Sequence, residues 1–158
     1  MVKRLSPVIM PTVLIIGLAS CSSMPEVDWN QSQNEASMFL EAATSAKGSL
    51  GGGTLRVGQG TPGDTDSGIV LNYDSGARIT GIRVSCFGEG TLRLGFATQT
   101  GSSWSGNDTV EVICNGEENN VSVSEILSTA QVDAVQFNGI LGEGTGGVLA
   151  VAISGVAN

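Results

Sequence analysis

Residues 82–96 read Ile-Arg-Val-Ser-Cys-Phe-Gly-Glu-Gly-Thr-Leu-Arg-Leu-Gly-Phe, and this stretch decides the fold class. Apolar side chains take alternate positions on both sides of the central Gly-Glu-Gly, a period of two that is typical of strands with one buried face. Similar alternation, or a short apolar run, recurs in six further segments: 54–57, 68–73, 109–114, 121–123, 135–137 and 148–153. We therefore predict an all-β domain, an antiparallel β-sandwich (jelly-roll or immunoglobulin-like) of about eight short strands over residues 48–158.

Glycine-rich tetrapeptides separate the predicted strands. Gly88-Glu89-Gly90-Thr91 returns as Gly142-Glu143-Gly144-Thr145, and the Gly-Thr-Leu-Arg of residues 53–56 returns at residues 90–93. So few copies at uneven spacing do not make a solenoid. We interpret the repeat as one turn-then-strand solution used again, and none of its copies matches a phosphate-binding loop.

One helix precedes the strands. Ser32 and Glu35 form a capping box, and apolar residues follow at helical spacing up to Lys47 and Gly48, which supply a basic end and a stop. This pattern predicts a helix over residues 33–47 that packs on the domain. The preceding residues 21–31 have no periodicity and are interpreted as a flexible tether, in which Trp29 either docks on the domain or lies near lipid headgroups.

The composition excludes several classes of protein. The chain has 158 residues, a formal charge of −8, 23 glycines and no histidine. An acidic chain does not neutralise phosphates, so we expect no nucleic-acid partner. The absence of histidine removes the commonest general base and the commonest metal ligand, so we expect no enzyme activity, no metal and no cofactor. The length fits a single domain, which we place at residues 32–158.

The amino terminus carries a targeting signal. Lys3 and Arg4 precede an apolar stretch over residues 5–18, which ends in Leu18-Ala19-Ser20-Cys21. This ending resembles the lipobox of bacterial lipoproteins. The resemblance implies that residues 1–20 are a removable signal peptide and that Cys21 carries a diacylglyceryl group and a further fatty-acyl chain of the palmitate type. It implies a protein of the bacterial cell envelope, anchored to a membrane through lipid on the extracytoplasmic side.

Two alternatives stand beside the lipoprotein interpretation. One is a plain secretory signal in which Cys21 is coincidental. The other is a transmembrane helix, which the shortness of the apolar stretch and the prolines at positions 7 and 11 disfavour, since spanning takes about 20 apolar residues. Removal of residues 1–20 takes away Lys3 and Arg4 and leaves a charge of −10. Basic residues therefore supply no second attraction to anionic lipid.

Two cysteines remain once Cys21 is assigned to lipid. An even number of cysteines in an exported chain indicates a disulfide, here between Cys86 and Cys114. A catalytic thiol or a zinc site is disfavoured, because the chain has no histidine. Both cysteines lie among the inward residues, and a predicted strand at 91–97 separates them. We therefore predict a bridge between two facing sheets, with the chain crossing over in a loop at residues 98–107.

Two predicted loops carry the candidate binding residues. These are Asp64 and Asp66 in the loop 60–68, and Trp104, Asn107 and Asp108 in or next to the loop 98–107. Exposed aromatic and carboxylate groups on loops of a rigid sandwich can bind a partner without disturbing the core. The alternatives are a calcium site or a metal-free, Asp-rich turn at Asp64 and Asp66, and a Trp104 that folds back over the disulfide.

These features predict a non-catalytic, lipid-anchored cell-envelope protein that serves as a structural or protein-binding β-sandwich module. An envelope-anchored carbohydrate-binding module is the alternative. The scarcity of aromatic residues, 4% of the chain, favours the first prediction because sugar-binding platforms use several aromatic rings. The expected partners are the membrane, through the lipid anchor, and an unidentified envelope protein or glycan.

Overall fold

The computed structural model describes residues 26–58, 68–122 and 131–158, apart from the side chains of residues 107 and 108. The elements are α1 (Trp29–Thr44), β1 (Ser49–Gly58), β2 (Ile69–Thr100), β3 (Ser103–Val121) and β4 (Val132–Ala157). All strand pairs are antiparallel, and the strands form one open sheet in the order β1-β4-β2-β3. The prediction of an antiparallel β fold with one short N-terminal helix is confirmed.

The strands are fewer and longer than predicted. Within the described residues, four strands take the place of the expected eight or so, and β2 and β4 contain 32 and 26 residues. The two Gly-Glu-Gly-Thr segments, 88–91 and 142–145, lie inside these strands and do not reverse the chain. Each lies at an irregularity of the β2–β4 register, and glycines in both have positive φ. The glycines thus redirect a continuing strand. The jelly-roll or immunoglobulin-like arrangement stays a prediction.

The long strands bend at these glycines. An extended strand would separate Gly139 from Leu149 by about 33 Å. A Cβ placed on Gly139 would nevertheless lie 3.6 Å from a methyl carbon of Leu149, and 2.7 Å from a methyl carbon of Val57 on β1. The sheet therefore has two limbs that face each other. The helix limb comprises residues 49–58, 77–88, 115–121 and 147–157, and the hairpin limb comprises residues 69–72, 91–100, 103–113 and 132–141.

The main hydrophobic core lies between the limbs. Both contribute their inward residues, so the alternating pattern in the sequence corresponds to burial in the structure. Its largest fully buried side chains are Ile82, Leu92, Leu94, Phe137, Leu149 and Ile153.

The helix covers the outer surface of the helix limb. Ala36 packs with Val148 and Ala150 in a second apolar cluster, which also includes Trp29 and Phe39. The ring of Trp29 lies against Gly58, where a Cβ would be 2.7 Å from it. Trp29 therefore docks on the domain.

The helix begins and ends earlier than the predicted 33–47. Asp28 is the N-cap, and its carboxylate accepts hydrogen bonds of 3.1 and 3.0 Å from the N–H groups of Asn30 and Gln31. Ser32, the predicted cap, is buried inside the helix. A carboxylate at position 28 satisfies the free N–H groups one turn before the predicted capping box. Part of the predicted tether is thus helical.

The predicted disulfide is present, although its placement differs. Cys86 on β2 and Cys114 on β3 are bonded, with Cα atoms 4.3 Å apart. These strands are direct neighbours in one sheet. The expected bridge between facing sheets is wrong, because residues 91–97 continue β2 beyond the bend and do not form a separate strand between the cysteines. A Cβ on Gly147 would lie 3.1 Å from both sulfur atoms, so glycine leaves room for the bridge.

Candidate functional site

The structure places only part of the predicted site. Cys21, Asp64 and Asp66 lie outside the described residues. Asn107 and Asp108 belong to strand β3 by their backbone, and their side chains also lie outside the description. Of the predicted binding residues, Trp104 alone has its side chain within the described part of the structure.

Trp104 lies on a strand next to a tight hairpin. The expected loop at 98–107 is wrong, because Thr98, Gln99 and Thr100 pair across the hairpin with Ser105, Trp104 and Ser103. Gly101 makes the turn with φ +60°. The local sequence, rich in Ser, Gly and Thr, resembles a loop but pairs as two strand ends.

The indole of Trp104 is 44% exposed. It does not fold over the disulfide, since Cys114 lies ten residues further along β3, at the bend. The end of the hairpin is fixed to β4, because the N–H of Gly101 donates a 2.6 Å hydrogen bond to Oδ2 of Asp133. The neighbouring Gln131 donates from Nε2 to the carbonyl of Ser75 at 3.1 Å. Trp104 is therefore an exposed side chain on an anchored hairpin.

The outer surface of the hairpin limb is the candidate site, and we call it the bare face. Four of the six large exposed apolar residues within the described ranges lie on it, namely Val70, Trp104, Ile113 and Ile140, each at least 40% exposed. Helix α1 buries the matching surface of the other limb. By alternation and register, the bare face consists of Val70, Arg93, Gly95, Ala97, Gln99, Trp104, Thr109, Glu111, Ile113, Gln136, Asn138 and Ile140.

A shallow depression of about 230 Å³ lies within the bare face. It is lined by Gly95, Phe96, Ala97, Thr109, Gln136, Asn138 and Ile140, so no charged residue lines it among those whose side chains are described. Asn138 pairs with Gly95, and Gly95 in turn pairs with Thr109. The carboxamide of Asn138 lies across Gly95, because a Cβ there would meet its Oδ1. Glycine at position 95 thus lets the amide lie flat against the sheet.

Apolar and polar groups occupy different parts of the bare face. Gln136 pairs with Ala97 on one side and with Val70 on the other, so its amide lies between an alanine and an exposed valine. Trp104 pairs with Gln99, two residues beyond Ala97 along β2. The depression therefore carries amides, small residues and Ile140, while Val70, Trp104 and Ile113 lie outside it.

The strongest electrostatic pair of the described residues is on the other limb. Arg83 donates two hydrogen bonds of 2.7 Å to the carboxylate of Glu118, and its guanidinium lies 5.6 Å from the ring centre of Phe39 on α1. The hydrogen bond from Arg83 lowers the pKa of Glu118 and raises that of Arg83. Burial raises the pKa of Tyr73 to about 12. These groups support the fold rather than the bare face.

The described ranges also bear on metal binding and on membrane crossing. In that part of the chain, no three His, Cys, Asp or Glu side chains form a group suited to a metal ion. Nor does any helix there combine the length and the apolar character that a bilayer crossing requires.

Sequence analysis missed most of the polar residues of the bare face. Thr109 and Gln136 occupy outward positions of predicted strands, where polar residues are the ordinary expectation, and Asn138 directly follows the predicted strand at 135–137. The only available signal was the small size of Gly95 and Ala97 on the same face. Comparisons with protein-family models, with curated proteins and with solved structures gave no match to the chain.

Proposed function

We propose that this chain is a non-catalytic, lipid-anchored protein of the bacterial cell envelope that holds another envelope component against its bare face. The observation that carries the binding role is the unequal covering of the two limbs. Helix α1 buries the outer surface of one limb, whereas Val70, Trp104, Ile113 and Ile140 are exposed on the other. Large apolar side chains exposed on one uncovered face of a sheet mark that face as a candidate interaction surface.

The anchoring part of the proposal rests on the lipobox-like ending at Cys21. Several acyl chains on one residue give stable membrane attachment, whereas a single chain does not. In this proposal the two facing limbs serve as the layers of a β-sandwich, an interpretation supported by the contacts of Gly139 with Val57 and Leu149. Such a rigid, disulfide-linked scaffold suits display of a binding surface outside the cytoplasm.

Cell fractionation tests the anchor. Cys21→Ser should block processing or move the protein from the membrane to the soluble fraction, while Ser23→Ala should fractionate like the parent. If Cys21→Ser loses residues 1–20 as the parent does and still stays with the membranes, the anchor is excluded.

In-cell cross-linking tests whether the bare face contacts a partner. A photo-reactive residue at Gln136 should form adducts, and the same residue at Glu41, on the opposite side of the molecule, should not form them. Equal adducts from both positions would contradict a recognition role for the bare face.

A further inference from the structure

We propose that the depression in the bare face seats one ring of a neutral glycan. This inference rests on the proposed function, because it assigns an occupant to the same surface. It goes beyond that function by naming the chemistry of the occupant and the residues that contact it.

The layout of the bare face differs from that of a protein interface. Protein interfaces have an apolar centre surrounded by a polar rim. Here Gln136, Asn138 and Thr109 line the depression together with small residues, Ile140 is the large exposed apolar side chain at its edge, and Trp104 and Ile113 lie outside it. A protein partner that filled the centre with apolar groups would leave these amides without hydrogen bonds, which is costly.

The polar groups of the depression match a hydroxylated, uncharged ligand. A carboxamide offers two N–H donors and a carbonyl acceptor, and a threonine hydroxyl can do both. Sugar hydroxyls need this mixture, since each also donates and accepts. A chain with a formal charge of −8 repels anions, and the described lining residues carry no carboxylate that would favour a cation.

The position of Trp104 adds the second element of sugar recognition. Trp104 is 44% exposed and pairs with Gln99, which lies two residues along β2 from Ala97 in the lining of the depression. Aromatic rings provide a flat apolar surface at low entropic cost, against which the C–H face of a sugar ring packs. The depression supplies hydrogen bonds to one ring, and Trp104, further along the same face, supplies an apolar surface for a neighbouring ring.

The size of the depression limits how much of the ligand it holds. Pockets that enclose whole small molecules usually measure roughly 300–1,000 Å³, and this depression measures about 230 Å³. One ring of a longer chain therefore fits better than a complete oligosaccharide. The neighbouring rings would extend over the sheet surface. There Arg93 and Glu111 lie opposite each other on adjacent strands, two residues along from Gly95 and Thr109.

Calorimetric titration of the full chain tests the inference. The protein is purified from membranes in a detergent without a sugar headgroup, because such headgroups would compete. The probes are three neutral hexasaccharides, built from β-1,4-linked glucose, α-1,4-linked glucose and β-1,4-linked N-acetylglucosamine, with oligogalacturonate as the charged comparison. Trp104→Ala and Asn138→Ala alter the site. Met38→Ala and Asn119→Ala, an exposed apolar residue and an exposed amide elsewhere, are the matched controls.

We expect at least one neutral probe to bind more tightly than oligogalacturonate. Trp104→Ala and Asn138→Ala should each raise its Kd about tenfold or more, and the controls should leave it within about twofold. Circular dichroism melts check that every variant is folded. The inference is overturned if no neutral probe binds, if binding survives both site variants, or if the charged probe binds best.

The outcomes also separate this inference from the proposed function. If no neutral probe binds but the photo-reactive residue at Gln136 forms adducts with one specific protein in cells, the bare face is a protein-binding surface and the glycan inference is wrong. If neither occurs, both proposals fall.

Discussion

Gly90 and Gly144 face each other across the bend so closely that a Cβ on Gly144 would lie 2.8 Å from the Cα of Gly90. Both have positive φ, of +99° and +88°. Only glycine meets the two requirements at once, since any side chain would collide with the neighbouring backbone and strain its own. The two Gly-Glu-Gly-Thr segments, one on β2 and one on β4, therefore lie side by side at the same bend of the sheet.

The bend glycines give the first prediction. Gly144→Ala should destabilise the fold by about 3 kcal/mol or more, because the added methyl group collides with backbone atoms. Gly101→Ala is the matched control, as φ there is also positive (+60°) but no atom lies within 4 Å of the new Cβ. It should cost only the conformational strain of about 1–2 kcal/mol. Urea denaturation of both variants measures the difference. If both lose the same free energy of unfolding, the close approach of the two strands at the bend does not constrain position 144.

The second prediction concerns the Cys86–Cys114 disulfide. The bond closes a loop with a sequence separation of 28, which stabilises the fold by about 3–4 kcal/mol in the chain-entropy treatment. The double variant Cys86→Ala/Cys114→Ala should lose about this much free energy of unfolding. Non-reducing peptide mapping of protein that was purified without a reductant should recover the cross-linked pair. Free thiols at both positions would refute the bond.

The third prediction is a pH dependence that originates at Glu118. Arg83 holds the pKa of Glu118 below its usual value of 4.5 in the folded protein. A lowered folded-state pKa means that the pair stabilises the fold above the unfolded-state pKa, and that this stabilisation is lost as the pH falls through the folded-state pKa. Both side chains are about a third exposed, so screening limits the effect to roughly 1 kcal/mol or less.

Glu118→Gln should therefore be less stable than the parent at pH 7 and equally stable at a pH of about 2. Guanidinium would screen the pair, so urea titrations at a series of pH values are the appropriate measurement. Arg83→Gln should show the same convergence, with an additional constant loss because Arg83 also lies over the ring of Phe39. A stability gap that is unchanged at low pH would contradict the role of the ion pair.

The fourth prediction separates packing from recognition at Trp104. Because 44% of the indole is exposed at the end of a hairpin, Trp104→Ala should lower the free energy of unfolding by only about 1 kcal/mol. Phe137→Ala, at a fully buried position of the core, should cost about 3–5 kcal/mol. Thermal melts of the two variants provide the comparison. A loss at Trp104 as large as that at Phe137 would make Trp104 a structural residue.

The strand pattern could be predicted because burial of alternate residues is local information. Ile82, Val84, Leu92 and Leu94 all face the core, as their period of two requires. What the sequence could not show is whether a Gly-Glu-Gly segment reverses the chain or only bends it. That choice depends on pairing with β4, more than 50 residues away, which keeps β2 continuous through its glycines. The misplacement of the disulfide followed from the same missing information.

The candidate site was predictable only at Trp104. Its Ser, Gly and Asn neighbours show no core pattern, which left a binding role and packing over the disulfide as alternatives, and the structure exposes 44% of the residue. Gln136 and Asn138 gave no such signal, because polar residues at outward positions of a strand are ordinary. They can be recognised as part of a candidate site only from the strand register, which places Gly95 and Ala97 beside them. The helix start was missed for a local reason, since Asp28 and Ser32 are both good caps and the helix packs one turn further.

The pairing of β1 with the end of β4 determines when β1 can join the sheet during synthesis. The register joins Ser49 to Ser154 and Gly58 to Gly146, so among the described strands β1 pairs with the one that is made about 90 residues later. Until residues 146–154 have been synthesised, β1 has no partner edge, and contacts so distant in sequence form slowly. A nascent chain that stops short of β4 therefore leaves both β1 and β2 without the strand that lies between them.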